Sequence, residues 1–306
     1  MASVVIRRLA QALLILFGVA AITFVLLYAM PADPARMIAG RSATAQTVAN
    51  IRHELGLDQS LLVQFWHYLS GLVQGNFGRS YAQKTEVATL IWSRLPATLV
   101  LMAAGIFIEV VIGLTLGITA AVKRGSFIDN LVMTTSFVGV SAPQFLVALL
   151  LLYVFAITLG WFPMSGYGTF AHVILPATTL GILGAGWYAR MARSAMVDVL
   201  NQDYVRTARA KGLSSTRILL RHALPNALLP IIAMIGIDIG QFMGGVVVVE
   251  AVYGWPGIGQ LAWQAIQQVD IPIIMGVTLV SAFAIVVGNL IADLTAPLID
   301  PRIRAS

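Results

Sequence analysis

The chain contains no cysteine, which excludes disulfides, thiolate metal sites and a cysteine nucleophile. It is also poor in charge: Asp, Glu, Lys and Arg make up 10% of its 306 residues, against roughly 25% in a soluble domain. Histidine is scarce, and His53, His67, His172 and His222 are scattered along the chain, so solvated or capping roles are expected for them rather than a shared metal site. No Gly-Lys pair occurs anywhere, which removes the phosphate loop of ATP-hydrolysing proteins, and neither HExxH nor GxSxG is present. What the chain does have is apolar: residues of the AVILMFWYC set make up 58% of it, and its mean hydropathy is +0.87. Such a chain is an integral membrane protein. The net charge of +6, from 19 Lys and Arg against 13 Asp and Glu, is not a nucleic-acid signal, because a bundle with so little polar surface has nowhere to lay a duplex. The excess is expected to be topological.

A bilayer core of about 30 Å takes roughly 20 mostly apolar helical residues per crossing. Six stretches qualify: 9–30, 97–122, 128–159, 174–191, 227–249 and 273–296. The third is too long for one straight crossing, and Pro143, preceded by Gly139 and Ser141, is expected to kink it, since proline removes an amide donor and displaces the carbonyl four residues back. The first stretch follows Arg7 and Arg8 and outruns the 7–15 apolar residues usual in a cleaved signal, which predicts a retained helix. With six crossings, the cations Lys123, Arg124, Arg190, Arg193, Arg206, Arg209, Lys211, Arg217, Arg221, Arg302 and Arg304 fall on the same side as Arg7 and Arg8. Loops 160–173 and 250–272, on the other side, hold no Lys or Arg, so the positive-inside rule predicts both termini in the cytoplasm.

Two soluble segments carry pattern. In 31–96, apolar residues recur at helical spacing, first Ala45, Val48, Ile51 and Leu55, then Leu62, Phe65, Leu69 and Val73, which predicts two short amphipathic helices serving as a cap over the bundle or as a docking surface. In 197–225, Asn201 or Asp203 is the expected cap of a helix whose apolar stripe is Tyr204, Val205 and Ala208. Gly212 is a natural left-handed stop, and Ser214 is expected to cap a second helix running toward Pro225. The cations Arg206, Arg209, Lys211 and Arg217 on this segment suit anionic lipid headgroups or a cytosolic protein, and charge alone does not choose.

The segment Asp203-Tyr-Val-Arg-Thr-Ala-Arg-Ala-Lys-Gly212, followed by His222-Ala-Leu-Pro-Asn-Ala-Leu-Leu-Pro230, resembles the EAA loop of ABC importer permeases of the dipeptide/oligopeptide branch, which includes peptide, nickel and glutathione systems. Where the general pattern has Glu-Ala-Ala, this chain has Arg206-Thr207-Ala208, a departure similar to the peptide branch. Pro31-Ala-Asp-Pro34, Leu55-Gly-Leu-Asp58, Gln64-Phe-Trp-His-Tyr68, Gly75-Asn-Phe-Gly78, Gly244-Gly245, Glu250, Pro256-Gly-Ile-Gly259 and Asp300-Pro-Arg-Ile-Arg304 resemble the same branch in the same order, over nearly the whole chain. The resemblance implies an all-α, six-crossing ABC type I importer permease fold in the inner membrane. Its first transmembrane helix would be 1–30, its external region 31–96 and its five-helix core 97–306. It also implies that Asp203, Tyr204, Arg206, Thr207, Ala208, Arg209, Ala210, Lys211 and Gly212 form an ATPase-coupling element within 197–225.

The same resemblance implies partners: a second homologous permease, two ATPase subunits that carry the ATP and magnesium, an external solute-binding protein, and surrounding lipid. No cofactor, metal site or catalytic residue is expected in this chain. Inside the apolar stretches, Glu109, Asp238 and Asp293 each cost roughly 2.5–3.5 kcal/mol if placed centrally. Asp238 with Gln241 one turn on forms a polar strip on a helix that also carries Gly236, Gly240, Gly244 and Gly245. The strip is open to two readings, helix packing or a solute pathway, and a pathway carboxylate suits a peptide amino terminus or a metal cation. The expected solute is a di- or oligopeptide, with nickel, glutathione or another small solute as the alternative. A passive channel, the rival of another class, leaves the basic helix-glycine-helix segment unexplained.

Overall fold

The computed structural model describes the backbone of residues 2–29, 34–40, 43–54 and 56–299, and the side chains of all these except 2–6, 27–29, 34, 37, 244–245 and 291–299. Leu55, most of the Pro31–Pro34 motif, the side chain of Asp293, the surroundings of Gly244 and Gly245, and the Asp300–Arg304 motif lie outside this set. Among the described residues the structure is helical, with one isolated antiparallel bridge, Arg79 to Glu86.

Helix α1 is Ala2–Ala29, followed by α2 (Pro34–Ala39), α3 (Ala45–Glu54) and α4 (Leu61–Val73). Then come α5 (Val87–Val122), α6 (Phe127–Ser141), α7 (Gln144–Leu151, continued by wide π-type turns to Thr158) and α8 (Phe170–Leu200). Helix α9 (Asp203–Ala210) and α10 (Ser215–Arg217) precede a π-type turn over Ile218–Ala223 that leads into α11 (Leu224–Ala227). The chain closes with α12 (Leu229–Gly245), α13 (Val247–Val252), α14 (Ile258–Gln268) and α15 (Ile271–Ile299). Among the described residues four helices are long and apolar enough to cross a membrane, or up to six spans when each of two bent pairs counts as one. Large apolar side chains such as Leu13, Leu14, Phe107 and Phe170 stand on the outside of the chain, a pattern suited to lipid and not to water.

The expected break in the third span is present: α6 and α7 meet at 102°, with Ala142 in extended backbone and Pro143 at φ −62°. The second span begins ten residues earlier than the sequence pattern places it, with Pro96 inside α5. Local preference loses here to packing, because Val87 and Ile91, at 0% and 1% exposure, press against Gly276 of α15. A Cβ on Gly276 would lie 2.7 Å from Val87 Cγ1. The fifth span is bent by 46° where Ser215–Ala227 meets Leu229–Met243.

The chain forms two compact units, one drawn from Met1–Thr98 and Pro256–Val286, the other from Leu99–Trp255 and Val287–Ser306. In the first, Phe24 of α1 packs against Phe65 and Tyr68 of α4, with ring centroids 5.0 and 5.9 Å apart, and Ile271 and Met275 complete the cluster. The packed stripe of α4 is therefore Phe65, Tyr68, Leu69 and Leu72, while Leu62 and Val73, which the sequence pattern puts on that face, are 81% and 89% exposed. Buried Asp270 anchors the loop before α5: it accepts hydrogen bonds from Ser80 Oγ at 2.5 Å and from the amides of Tyr81 and Ala82 at 3.2 and 3.0 Å.

Beside α3, His53 Nδ1 lies 2.6 Å from Asp58 Oδ2. The hydrogen bond to this carboxylate, reinforced by its charge, raises the His53 pKa above 6.5. A raised folded-state pKa means that the stabilisation is complete below 6.5 and fades as pH rises through the folded value. An NMR titration is expected to place the His53 midpoint above 6.5, and Asp58→Asn to bring it back; an unshifted midpoint in the native chain would contradict the pairing.

Candidate functional site

Two features of the second unit stand out, a cavity among the apolar helices lined in part by polar side chains and the short α9 helix outside them. Glu109 of α5 is 1% exposed. It lines one cavity with Asp238 of α12, and the Tyr188 hydroxyl of α8 donates to Asp238 Oδ2. These side chains, with Gln241, Gln144 and Trp187, line a cavity of about 430 Å³.

Glycines create room for this arrangement. On α8, a Cβ at Gly184 would collide with the Glu109 carboxylate. On α5, a Cβ at Gly113 would lie 2.9 Å from the Ala185 carbonyl oxygen, and one at Gly117 would lie 2.8 Å from Ala192 Cβ. Helices α5 and α8 thus approach to backbone contact, as small residues allow in membranes. The glycine strip of α12 serves another neighbour: a Cβ at Gly288 of α15 would lie 2.9 Å from Gly236 O and 3.3 Å from Gly240 N. Gly236 and Gly240 thus pack against α15, while Asp238 and Gln241 of the same helix line the cavity. The structure brings together Glu109, Asp238 and Gln241 from the sequence-derived pathway set, while the Asp293 side chain lies outside the described residues.

Sequence reasoning missed Tyr188. A tyrosine in an apolar helix ordinarily reads as core, and the available signal was Gly184 one turn before it, which leaves space for a facing polar group. It also assigned Arg190 and Arg193 to topology alone. Arg190 instead stacks on the rings of Trp187 and Phe137, 4.3 and 4.7 Å from their centroids. Arg193 forms a two-pronged pair with buried Asp129 of α6, at 2.5 and 2.7 Å, and Asp129 also accepts from the Gly125 amide at 2.9 Å. Among the described residues, no group of three or more His, Asp or Glu side chains is arranged to hold a metal ion.

Helix α9 is keyed to the bundle by its buried side. Val205 and Ala208 pack with Ile218, Leu200 and Leu213, and Ala223 and Ala227 pack in turn with Met196 of α8 and Ala121 of α5. Asp203, Tyr204, Arg206, Thr207, Arg209, Ala210, Lys211 and Gly212 are exposed, and of the sequence-derived set only Ala208 faces inward. Tyr204 is 42% exposed and accepts from Asn226 Nδ2 at 3.1 Å, so the apolar stripe is Val205 and Ala208 without it. The cap also differs from expectation. Asn201 closes α8, Gln202 takes the N-cap position of α9, and Asp203 is its first residue; neither Gln202 nor Ser214 makes a side-chain capping bond. Gly212 is left-handed at φ +76°, as expected, and its amide donates to Arg209 O at 2.9 Å.

This architecture has known relatives. Residues 113–305 match the family described as binding-protein-dependent transport system inner membrane component, and residues 1–102 match its N-terminal counterpart. The chain is 42% identical over 304 residues to the glutathione transport system permease protein GsiC of Salmonella typhimurium, and equally to that of Escherichia coli, with 99% of each chain covered. Among solved structures, the inward-facing MetNI methionine ABC transporter superposes with a TM-score of 0.57 at 21% identity, over 69% of this chain and 96% of that one. An amino acid ABC transporter crystallised with histidines gives 0.52 at 16% identity, over 68% and 93%. At those identities the likeness concerns the fold. The full-length match decides the family: the chain belongs to the binding-protein-dependent inner membrane components and is a multi-pass permease subunit of an ABC importer.

Proposed function

We propose that this permease carries small peptide-like solutes, glutathione among them, through a pathway whose wall includes Glu109, Asp238 and Gln241. The observation that carries the solute class is the 42% identity over 99% of the chain to permeases of glutathione systems. The wall supports it, since two carboxyl groups, a phenol and amides without an imidazole suit an organic solute better than nickel.

In this reading the exposed face of α9, from Asp203 to Gly212, docks on an ATPase subunit that holds the ATP and magnesium. A second ATPase and a second permease complete the assembly, and an external binding protein delivers solute. Motion of the docked ATPase passes through Val205 and Ala208 to Ile218, and through Ala223 and Met196 to α8, whose Tyr188 and Trp187 line the cavity. Rigid rocking of packed helices is an established way to switch access across a membrane. This chain performs no hydrolysis itself.

The test is uptake by a strain lacking this chain, with labelled glutathione, dialanine and nickel compared side by side. Loss of glutathione or dialanine uptake, restored by the native chain, is the expected result. Intact peptide uptake with lost nickel uptake would overturn the solute class and leave the family assignment standing.

A further inference from the structure

Burial of a carboxylate oxygen without a partner is costly, so buried polar atoms in native proteins are nearly always hydrogen-bonded. Glu109 breaks this rule: its side chain is buried, it lines the cavity, and its Oε1 has no hydrogen-bond partner. Gly184 gives up its side chain to leave room for this same carboxylate. The group is thus accommodated by the fold and left unsatisfied, which is what a site for an absent donor looks like.

The rest of the wall defines that donor. Asp238 and Tyr188 stand beside Glu109, Gln241 and Gln144 add amide oxygens, and the lining contains no Lys, Arg or His. Arg190 is not among the lining residues; its guanidinium stacks on the Trp187 and Phe137 rings. A wall with two acids, no base and several acceptor oxygens selects a cation with several N–H groups, and an alkylammonium offers three donors with one positive charge. Divalent metals of the nickel type prefer imidazole or thiolate nitrogen and sulfur donors, which this wall lacks.

We propose that Glu109 and Asp238, positioned by Gly184 and Tyr188, form a binding site for the protonated amino group of the translocated solute. The proposal rests on the peptide-like solute class argued above. The ammonium would donate to Glu109 Oε1 and to Asp238, giving the orphaned oxygen its partner.

The test uses the complete transporter, with its partner permease, ATPases and binding protein, in proteoliposomes supplied with ATP. Uptake of glutathione is compared with that of glutathione acetylated on the γ-glutamyl nitrogen, and dialanine with N-acetyl-dialanine. Each is presented at concentrations shown separately to saturate the binding protein, so that the comparison reports on the membrane step. The native transporter is expected to favour each free amine over its acetylated twin by about tenfold or more. In the isosteric variants Asp238→Asn and Glu109→Gln that preference is expected to collapse toward unity. Equal native rates for amine and acetylated solute would overturn the site without any variant being needed. A preference that survives in both variants, with all uptake merely slower, would reduce the carboxyls to a structural role. A native transporter that hydrolyses ATP yet moves no peptide of either kind would instead sink the solute class, a failure distinguishable from the other two.

Discussion

Gly212→Pro is expected to lower ATP-driven uptake roughly 100-fold while the chain still inserts and accumulates in the membrane. Gly212 holds φ +76° and donates its amide to Arg209 O, whereas proline fixes φ near −65° and has no amide to donate. The left-handed corner after α9 then cannot form as it stands, at a cost of about 3 kcal/mol or more. If α9 docks an ATPase only when that corner is formed, the docking-competent fraction and the apparent affinity fall together, by about two powers of ten. Gly212→Ala supplies the scale. Nothing lies within 4 Å of a Cβ placed there, so alanine meets only the left-handed backbone penalty of about 1–2 kcal/mol, and its loss should be several-fold. Co-purification of the ATPases with each variant and uptake in whole cells are the two measurements. Normal uptake by the proline variant would remove α9 from the coupling path.

The second large effect concerns the clamp between α6 and α8. Arg193→Met is expected to destabilise the chain by about 2 kcal/mol, because it strands the Asp129 carboxylate with the Gly125 amide as its remaining donor. Fully buried pairs cost roughly 3–5 kcal/mol when one partner is removed, and the 28% exposure of Arg193 lets water soften the loss. The double variant Asp129→Leu/Arg193→Met is expected to recover most of the deficit, since it leaves no charge behind. Midpoints of thermal unfolding in detergent for the native, single and double variants form the cycle that checks this. A double variant worse than the single one would mean that the pair does more than neutralise itself.

Much of this architecture is legible in one sequence because the bilayer imposes a strong local rule. Each crossing is long and apolar, and the proline that breaks the third one, Pro143, lies inside the break it causes. The misses share a different cause. The early start of α5 depends on Gly276, nearly two hundred residues away, and the Asp129 to Arg193 pair joins positions 64 apart. The cap of α9 was misplaced because Asn201 and Asp203 both favour caps, while the run of α8 to Leu200 leaves Asn201 to close the preceding helix. At the cavity, Glu109 and Asp238 were visible because buried carboxylates are costly wherever they occur, and Gln241 because it lies one turn from Asp238. Tyr188 was not, since an aromatic ring in an apolar helix is unremarkable until the partner of its hydroxyl is known.

In the pathway proposed above, the bend between α6 and α7 bears on how a solute is chosen. Ser141, Ala142 and Pro143 interrupt the helix part-way through a crossing, and Val140, Ala142 and Gln144 open onto the cavity. Irregular backbone at that depth is stable where protein or water, not lipid, surrounds it. In that pathway any water held between solutes must leave as a solute enters, so occupancy is an exchange. An apolar intruder of the right size forfeits the hydrogen bonds of the water it displaces, whereas a polar one restores them. Discrimination at this point is therefore a contest with the solvent as much as a matter of fit.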